Sequence, residues 1–151
     1  MSESVAGAGE RLVVVGVDGS AESAAALRWA VHYARALDRT IVAVIAWHHP
    51  VNYGYPPVVD VDAATAAATV LAETVDAVVG AGTRVRVLSR VRQGHPATVL
   101  LEASRDADLL VVGNRGHGAF TGMVIGSVSA HCAHSATCPV VIVPHRAGRP
   151  G

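Results

Sequence analysis

The residues whose types and spacing best suit holding an anion lie between positions 113 and 129. Gly113, Gly116 and Gly118 fall within six residues directly after an apolar run, and Gly126-Ser127-Val128-Ser129 begins ten residues after Gly116. Glycine lets backbone N–H groups approach an anion closely and adopts positive φ without strain. A helix opening at Gly126-Ser127 would add roughly half a positive charge and several unpaired N–H groups, which together make a seat for phosphate. Ser127 and Ser129 offer hydroxyl donors there, and Arg115 is the nearby fixed cation. The same residues also fit a tight turn followed by an ordinary Ser-capped helix, because glycine-rich turns are common.

Asp18, at the end of the first apolar run, is the second residue with chemical potential. Its carboxylate could accept a hydrogen bond from a ribose hydroxyl or help hold a metal ion. It could equally cap the Gly19-Ser20 turn, the commonest job of Asp in such a place. Both roles stay open on sequence alone. Gly16-Val17-Asp18-Gly19 is not G-x-G-x-x-G, since Asp18 occupies the place of the second glycine, and this argues against a dinucleotide site. The serine-glycine-glycine loop of ATP pyrophosphatases is missing there as well.

Composition narrows the classes further. The chain has 151 residues, 51% of them apolar, with 12 basic and 12 acidic side chains and a formal net charge of zero. A neutral surface has no basic field to hold nucleic acid or anionic lipid. All 12 basic residues are arginine. Without lysine the chain cannot be a P-loop NTPase, a Schiff-base enzyme or a response-regulator receiver of the usual kind. Mean hydropathy is +0.38, yet no apolar run approaches the roughly 18 residues of a membrane span. Met1 to Glu10 shows no secretory pattern, and Cys132 and Cys138 are too few for a disulfide scaffold. A cytoplasmic domain is expected over residues 11–145, with flexible ends at 1–10 and 146–151.

Five short runs rich in β-branched residues must position these groups: Leu12 to Val17, Ile41 to Trp47, Val85 to Val91, Leu109 to Val112 and Val140 to Val143. Several are apolar without alternation, as strands covered on both faces are. Between them, Ser20 can cap a helix with the stripe Ala24, Leu27, Ala30, Val31, Ala34 and Leu37. A second helix carries Val61, Ala64, Ala68, Leu71, Val75 and Val78 and stops at Gly80-Ala81-Gly82. A third begins at Pro96 and a fourth near Gly126-Ser127. Strand and helix alternating without a hairpin signal predicts an α/β fold, a doubly wound, Rossmann-like parallel sheet, and the order 3-2-1-4-5 is expected if the fourth strand neighbours the first. In that order Asp18 faces the glycine loop across the switch point, beyond the carboxyl ends of the strands.

The chain resembles the universal stress proteins from Arg11 to Pro144. The resemblance rests on Val13-Val14-Val15-Gly16-Val17-Asp18-Gly19-Ser20, on Asp108 to Gly113, and on Cys138-Pro139-Val140-Val141-Ile142-Val143-Pro144. Its most specific part is the ATP-binding pattern G-x2-G-x9-G-[ST], which reads here as Gly113, Gly116, Gly126 and Ser127 with no departure in spacing. The resemblance implies that these four residues and Ser129, with Arg115 and Val128 beside them, bind the phosphates of ATP, with or without Mg2+. It places Asp18 near adenine and ribose, and Ala46, where relatives often carry Val, as a backbone partner of the adenine. It also implies a homodimer paired through the last strand, Val140 to Val143. A bare Val-Val-Ile-Val edge supports this independently, because such an edge invites pairing unless covered.

Other signals carry less. His131, Cys132, His134 and Cys138 match no common zinc spacing, and Cys132 points roughly 100° away from His131 on a helix. His48 and His49 lack a third ligand in sequence. Tyr53 and Tyr55, between His48 and Pro57, could stack on a base or belong to a mobile surface loop. Efficient γ-phosphate hydrolysis needs charge neutralisation that Arg115 without lysine supplies poorly. The expected protein is therefore a nucleotide-responsive stress or signalling module, with the loops Asn114 to Ile125 and His48 to Pro57 as its movers. A slow Mg-dependent ATP hydrolase using Asp18 and His117, or a nucleotide-independent interaction protein, are the alternatives.

Overall fold

The computed structural model describes residues 11–48, 61–116 and 125–145. Tyr53, Tyr55, His117, Gly118, most of both expected mover loops and the two expected flexible ends lie outside the described residues.

The elements run β1 (Leu12–Gly16), α1 (Ala21–Leu37), β2 (Thr40–Trp47), α2 (Val61–Val79), β3 (Val87–Gln93), α3 (Pro96–Ala103), β4 (Leu109–Gly113), α4 (Ser127–Ser135) and β5 (Val140–Val143). The five strands are parallel, as the alternation of strand and helix predicts, and run in the expected order β3-β2-β1-β4-β5. Strand β5 has the expected bounds, and the other strands differ from theirs by one or two residues. The largest shift is in β3, which starts at Val87 because its register with β2 pairs Ile41 with Val87 and Trp47 with Gln93.

Residue parity divides the core between the two faces of the sheet. Val13 and Val15 pack with Leu27, Ala30 and Val31 of α1, while Val14 packs with Val99 and Leu100 of α3 and Cys132 of α4. Ala43 and Ile45 meet Ala67 and Leu71 of α2. Helices α1 and α2 thus cover one face, and α3 and α4 the other. Strand β4 is buried at all five positions, which is why its sequence shows no alternation.

Helix caps follow the expected chemistry. Ser20 caps α1, its Oγ accepting from Ser23 N at 3.1 Å. Pro96 opens α3, and Gly80 (φ 67°) and Gly82 (φ 87°) end α2 in the left-handed region. Two apolar stripes were misplaced at their margins. In α1, Leu37 is 46% exposed while Ser23 and Ala26 are buried, and in α2 Ala67 is buried where Ala68 is exposed. The spacing of small apolar residues in Ala-rich helices leaves the stripe's centre undetermined, and contact with the sheet sets it. Among the described residues no helix is long and apolar enough to cross a membrane.

Cys132 is wholly buried in the cluster beneath α4, and burial, aided by nearby Cys138, pushes its thiol up to about 11. His131 and His134 are exposed on the same helix. A thiol whose folded pKa exceeds its unfolded value keeps its proton longer in the native state. Stability should therefore hold below pH 9 and fall as pH rises towards 11, where only the unfolded chain gives up that proton. Urea denaturation of wild type beside Cys132→Ala across that window should show a steeper alkaline loss in wild type. Thiol-reactive dye should leave Cys132 unlabelled until the chain unfolds.

Candidate functional site

Strands β1 and β4 are neighbours, but α1 leaves β1 towards one face and α4 follows β4 onto the other. A cavity of about 430 Å³ opens in the gap, within the range of small-molecule sites. All nine residues expected from the sequence line it: Asp18, Ala46, Gly113, Arg115, Gly116, Gly126, Ser127, Val128 and Ser129. Its floor adds residues that sequence reasoning missed, among them Val44, Pro96, Leu100 and Ser23. Val44 lies two residues before Ala46 on the same strand face, and Pro96 and Leu100 lie four apart on α3. That periodicity was available, but only the packing of α3 on β1 and β2 aims it at the cavity.

Asp18 fills one of the two roles that its sequence left open, that of the turn cap. Its Oδ1 accepts from Ser20 N at 2.9 Å and from Ser20 Oγ, closing the turn over Gly19, whose φ is 84°. Ser23 Oγ accepts from Asp18 N at 3.2 Å and donates to Ser20 O at 3.0 Å. The turn is fixed on both sides. The other oxygen, Oδ2, faces the glycine loop, and a Cβ on Gly116 would stand only 2.3 Å from it. Gly116 is therefore needed for close approach to a carboxylate, a reason the pattern alone did not give.

Each of the other glycines has its own cause. A Cβ on Gly113 would lie 2.8 Å from the backbone carbon of Glu22, so the end of β4 is pressed against the first turn of α1. Gly126 N donates to Asn114 O at 2.6 Å and closes the base of the loop, with a Cβ there 3.3 Å from the Cα of Arg115. Gly126 then serves as the N-cap of α4 with extended backbone and no side-chain cap, so the first turn of the helix, which lines the cavity, keeps N–H groups without intrahelical partners. Ser129 is buried and donates its hydroxyl to Gly113 O, a bond that fastens α4 to the end of β4.

The site's cation has a partner that the sequence did not reveal. Arg115 Nη2 lies 3.6 Å from Glu22 Oε2, with both side chains mostly withdrawn from solvent. Arg115 Nε is buried and has no hydrogen-bond acceptor among the described residues. A guanidinium with an idle donor beside a cradle of backbone amides fits a multiply charged oxyanion. At the opposite end the ladder's parity turns the peptide groups of Ala46 towards β1. The last bond from that side, Val17 N to Val44 O at 2.8 Å, comes two residues earlier, before β1 turns away. Apolar side chains lie between the two ends. This arrangement fits a ligand with an anionic head and a flat polar base.

Fold and site together define an open, doubly wound α/β domain with its cleft at the switch point. The universal stress protein family model matches residues 11–144, and the chain belongs to that family. It is 34% identical over 142 residues to a universal stress protein of Mycobacterium tuberculosis, an alignment that takes in 93% of this chain and 50% of the relative. The chain thus spans about half the length of that relative. Among solved structures, a universal stress protein in complex with cAMP superposes with a TM-score of 0.69 at 29% identity, covering 89% of this chain and 97% of that one. A family member from Arabidopsis thaliana with AMP bound, 19% identical, shares the fold at a TM-score of 0.61 over 93% of this chain and 96% of its own.

The two tight glycines should respond differently to a methyl group. Gly113→Ala drives a Cβ into backbone and should cost about 1–3 kcal/mol of stability by overpacking. Gly116→Ala meets a side-chain carboxylate that can rotate once Ser20 releases it. Its stability loss should be smaller, and displacement of Asp18 should be visible as shifted amide resonances at Gly19 and Ser20. Chemical denaturation and NMR of the two variants check this.

Proposed function

We propose that the chain is an ATP-binding universal stress protein, a cytoplasmic homodimer that acts as a nucleotide-responsive stress or signalling module. The observation that carries this reading is the cradle itself. The Gly113–Gly116 loop and the amide end of α4 converge on one end of the cavity beside an arginine with an unused buried donor. In this reading Gly113, Gly116, Gly126 and Ser127 bind the phosphates through backbone N–H groups and the Ser127 hydroxyl, with Val128 contributing its amide. Arg115 neutralises charge. Ser129, its proton engaged by Gly113, positions the helix end rather than donating to the ligand. The backbone of Ala46 reads the adenine, and Asp18 Oδ2 is the acceptor for a ribose hydroxyl or the partner of Mg2+.

Binding rather than turnover suits these residues. The chain has no lysine, and one oxygen of Asp18 is held in the Ser20 turn. Two elements that usually neutralise a phosphoryl transition state are thus weak or missing here. A cyclic nucleotide is the second reading, favoured by the cAMP held by the 29%-identical neighbour. Ligand-dependent output requires that the nucleotide bind two conformations unequally.

Thermal unfolding with and without ligand tests the site. At a hundredfold excess over Kd, ATP with Mg2+ should add about 2.7 kcal/mol, a rise of several degrees in Tm that Gly116→Val abolishes. A larger rise with cAMP than with ATP would favour the cyclic nucleotide, and no rise with either, in protein freed of bound nucleotide, would make the loop structural.

The dimer reading rests on β5. Leu110 N donates to Pro139 O and Asn114 N to Val143 O, so the odd residues of β5 face β4 and the peptide groups of Val140 and Ile142 face outward. Ile142→Pro removes an outward donor without touching the β4 ladder. Wild type should sediment as a dimer and Ile142→Pro as a monomer.

A further inference from the structure

The sheet has a second edge, and its chemistry differs from that of β5. In β3, Arg86 O accepts from Ile41 N at 2.9 Å and Gly94 N donates to Trp47 O at 2.8 Å. Residues of even number therefore direct their peptide groups to β2. Those of odd number, Val87, Ser89, Val91 and Gln93, direct theirs away from β2 along the edge of the sheet. Two of these outward carbonyls are occupied. Arg90 Nη1 donates to Ser89 O at 3.0 Å, and Arg92 Nη1 donates to Val91 O at 3.2 Å. Both arginines sit at β2 register positions of Val44 and Ala46, on the face opposite α2, and reach round the strand to its rim.

We propose that Arg90 and Arg92 close the β3 edge against a second copy of this chain, so that strand addition is confined to β5. An incoming strand must donate its N–H groups to the carbonyls of Ser89 and Val91. It would have to displace two guanidinium groups and bury their charge against its own backbone. Among the described residues no side chain bonds the outward groups of Val140 or Ile142. The two edges are thus unequal by construction. The inequality matters because a parallel sheet with two open edges can grow without end by joining one edge to the other. A single open edge closes as a two-fold pair. Charge makes the same point in the negative: a chain of net charge zero has no overall repulsion to keep copies apart.

The test is Arg90→Thr/Arg92→Thr, which keeps β-forming residues while removing both donors. The formal net charge goes from 0 to −2, as 10 basic residues then face 12 acidic ones, and this by itself would favour dispersal. Sedimentation of the double variant should nevertheless show a concentration-dependent species at least twice the wild-type mass. The outward amides of Ser89 and Val91 should gain hydrogen-exchange protection in it. A folded double variant with wild-type sedimentation overturns the proposal. If the double variant loses its far-UV circular dichroism, Arg90→Thr and Arg92→Thr are read singly, each expected to associate beyond wild type. The partial dependence on the β5 dimer reading is separated by adding Ile142→Pro. With β5 blocked, the triple variant should dimerise through β3, whereas Ile142→Pro alone should not. Persistence of the dimer in Ile142→Pro alone would count against the β5 reading only. A monomeric triple variant would count against the role of the arginines.

Discussion

The end of β4 lies against the first turn of α1 with no room for a side chain, and the rest of the site depends on that contact. Gly113 meets the backbone of Glu22 at a distance where a Cβ would stand 2.8 Å away. The approach brings Arg115 within reach of Glu22 Oε2 and sets Gly116 against Asp18. It also leaves α4 free to start on the opposite face, where Ser129 ties it back to Gly113 O. The cavity is the space between two helices that leave adjacent strands in opposite directions.

Electrostatic balance in the cleft follows from the same geometry. A lone arginine among backbone amides would be a strongly positive pocket, but Glu22 shares it, and Asp18 supplies a second carboxylate across the loop. An anion entering the cradle therefore competes with Glu22 for the guanidinium, while the amide donors cost nothing to reorganise. In the proposed reading, such a site favours a ligand that can satisfy amides, arginine and Asp18 at once, as a nucleotide with hydroxyls and phosphates does and inorganic phosphate does not.

The two edges of the sheet differ in chemistry, and on the proposed reading that difference controls association of a small, neutral and apolar domain. The buried strands β1 and β4 are continuous hydrophobic runs whose safety lies in being covered on both faces. The rim strands cannot be covered in that way. One carries arginines folded over two of its outward carbonyls, and the other, among the described residues, presents uncovered peptide groups of Val140 and Ile142. Association is then a matter of which backbone groups remain available, and area alone does not decide it.

The sequence by itself determined the class of fold, its helix caps and the glycine-loop residues that line one end of the cavity. Those features are written in local chemistry: β-branched runs, caps at Ser20 and Pro96, and glycines at a spacing that leaves amides exposed. The floor of Val44, Pro96 and Leu100, the pairing of Arg115 with Glu22, and the reasons for Gly113 and Gly116 came only from tertiary structure. Each is a contact between residues far apart in the chain, and its distance depends on how α1 and α3 settle on the sheet. The margins of α1 and α2 were misjudged for the same cause, because an Ala-rich helix presents nearly equivalent faces until the sheet chooses one. Asp18 is the clearest case. Its residue type permitted a turn cap or a ligand contact, and the fold commits Oδ1 to the turn and sets Oδ2 against Gly116 in the glycine loop.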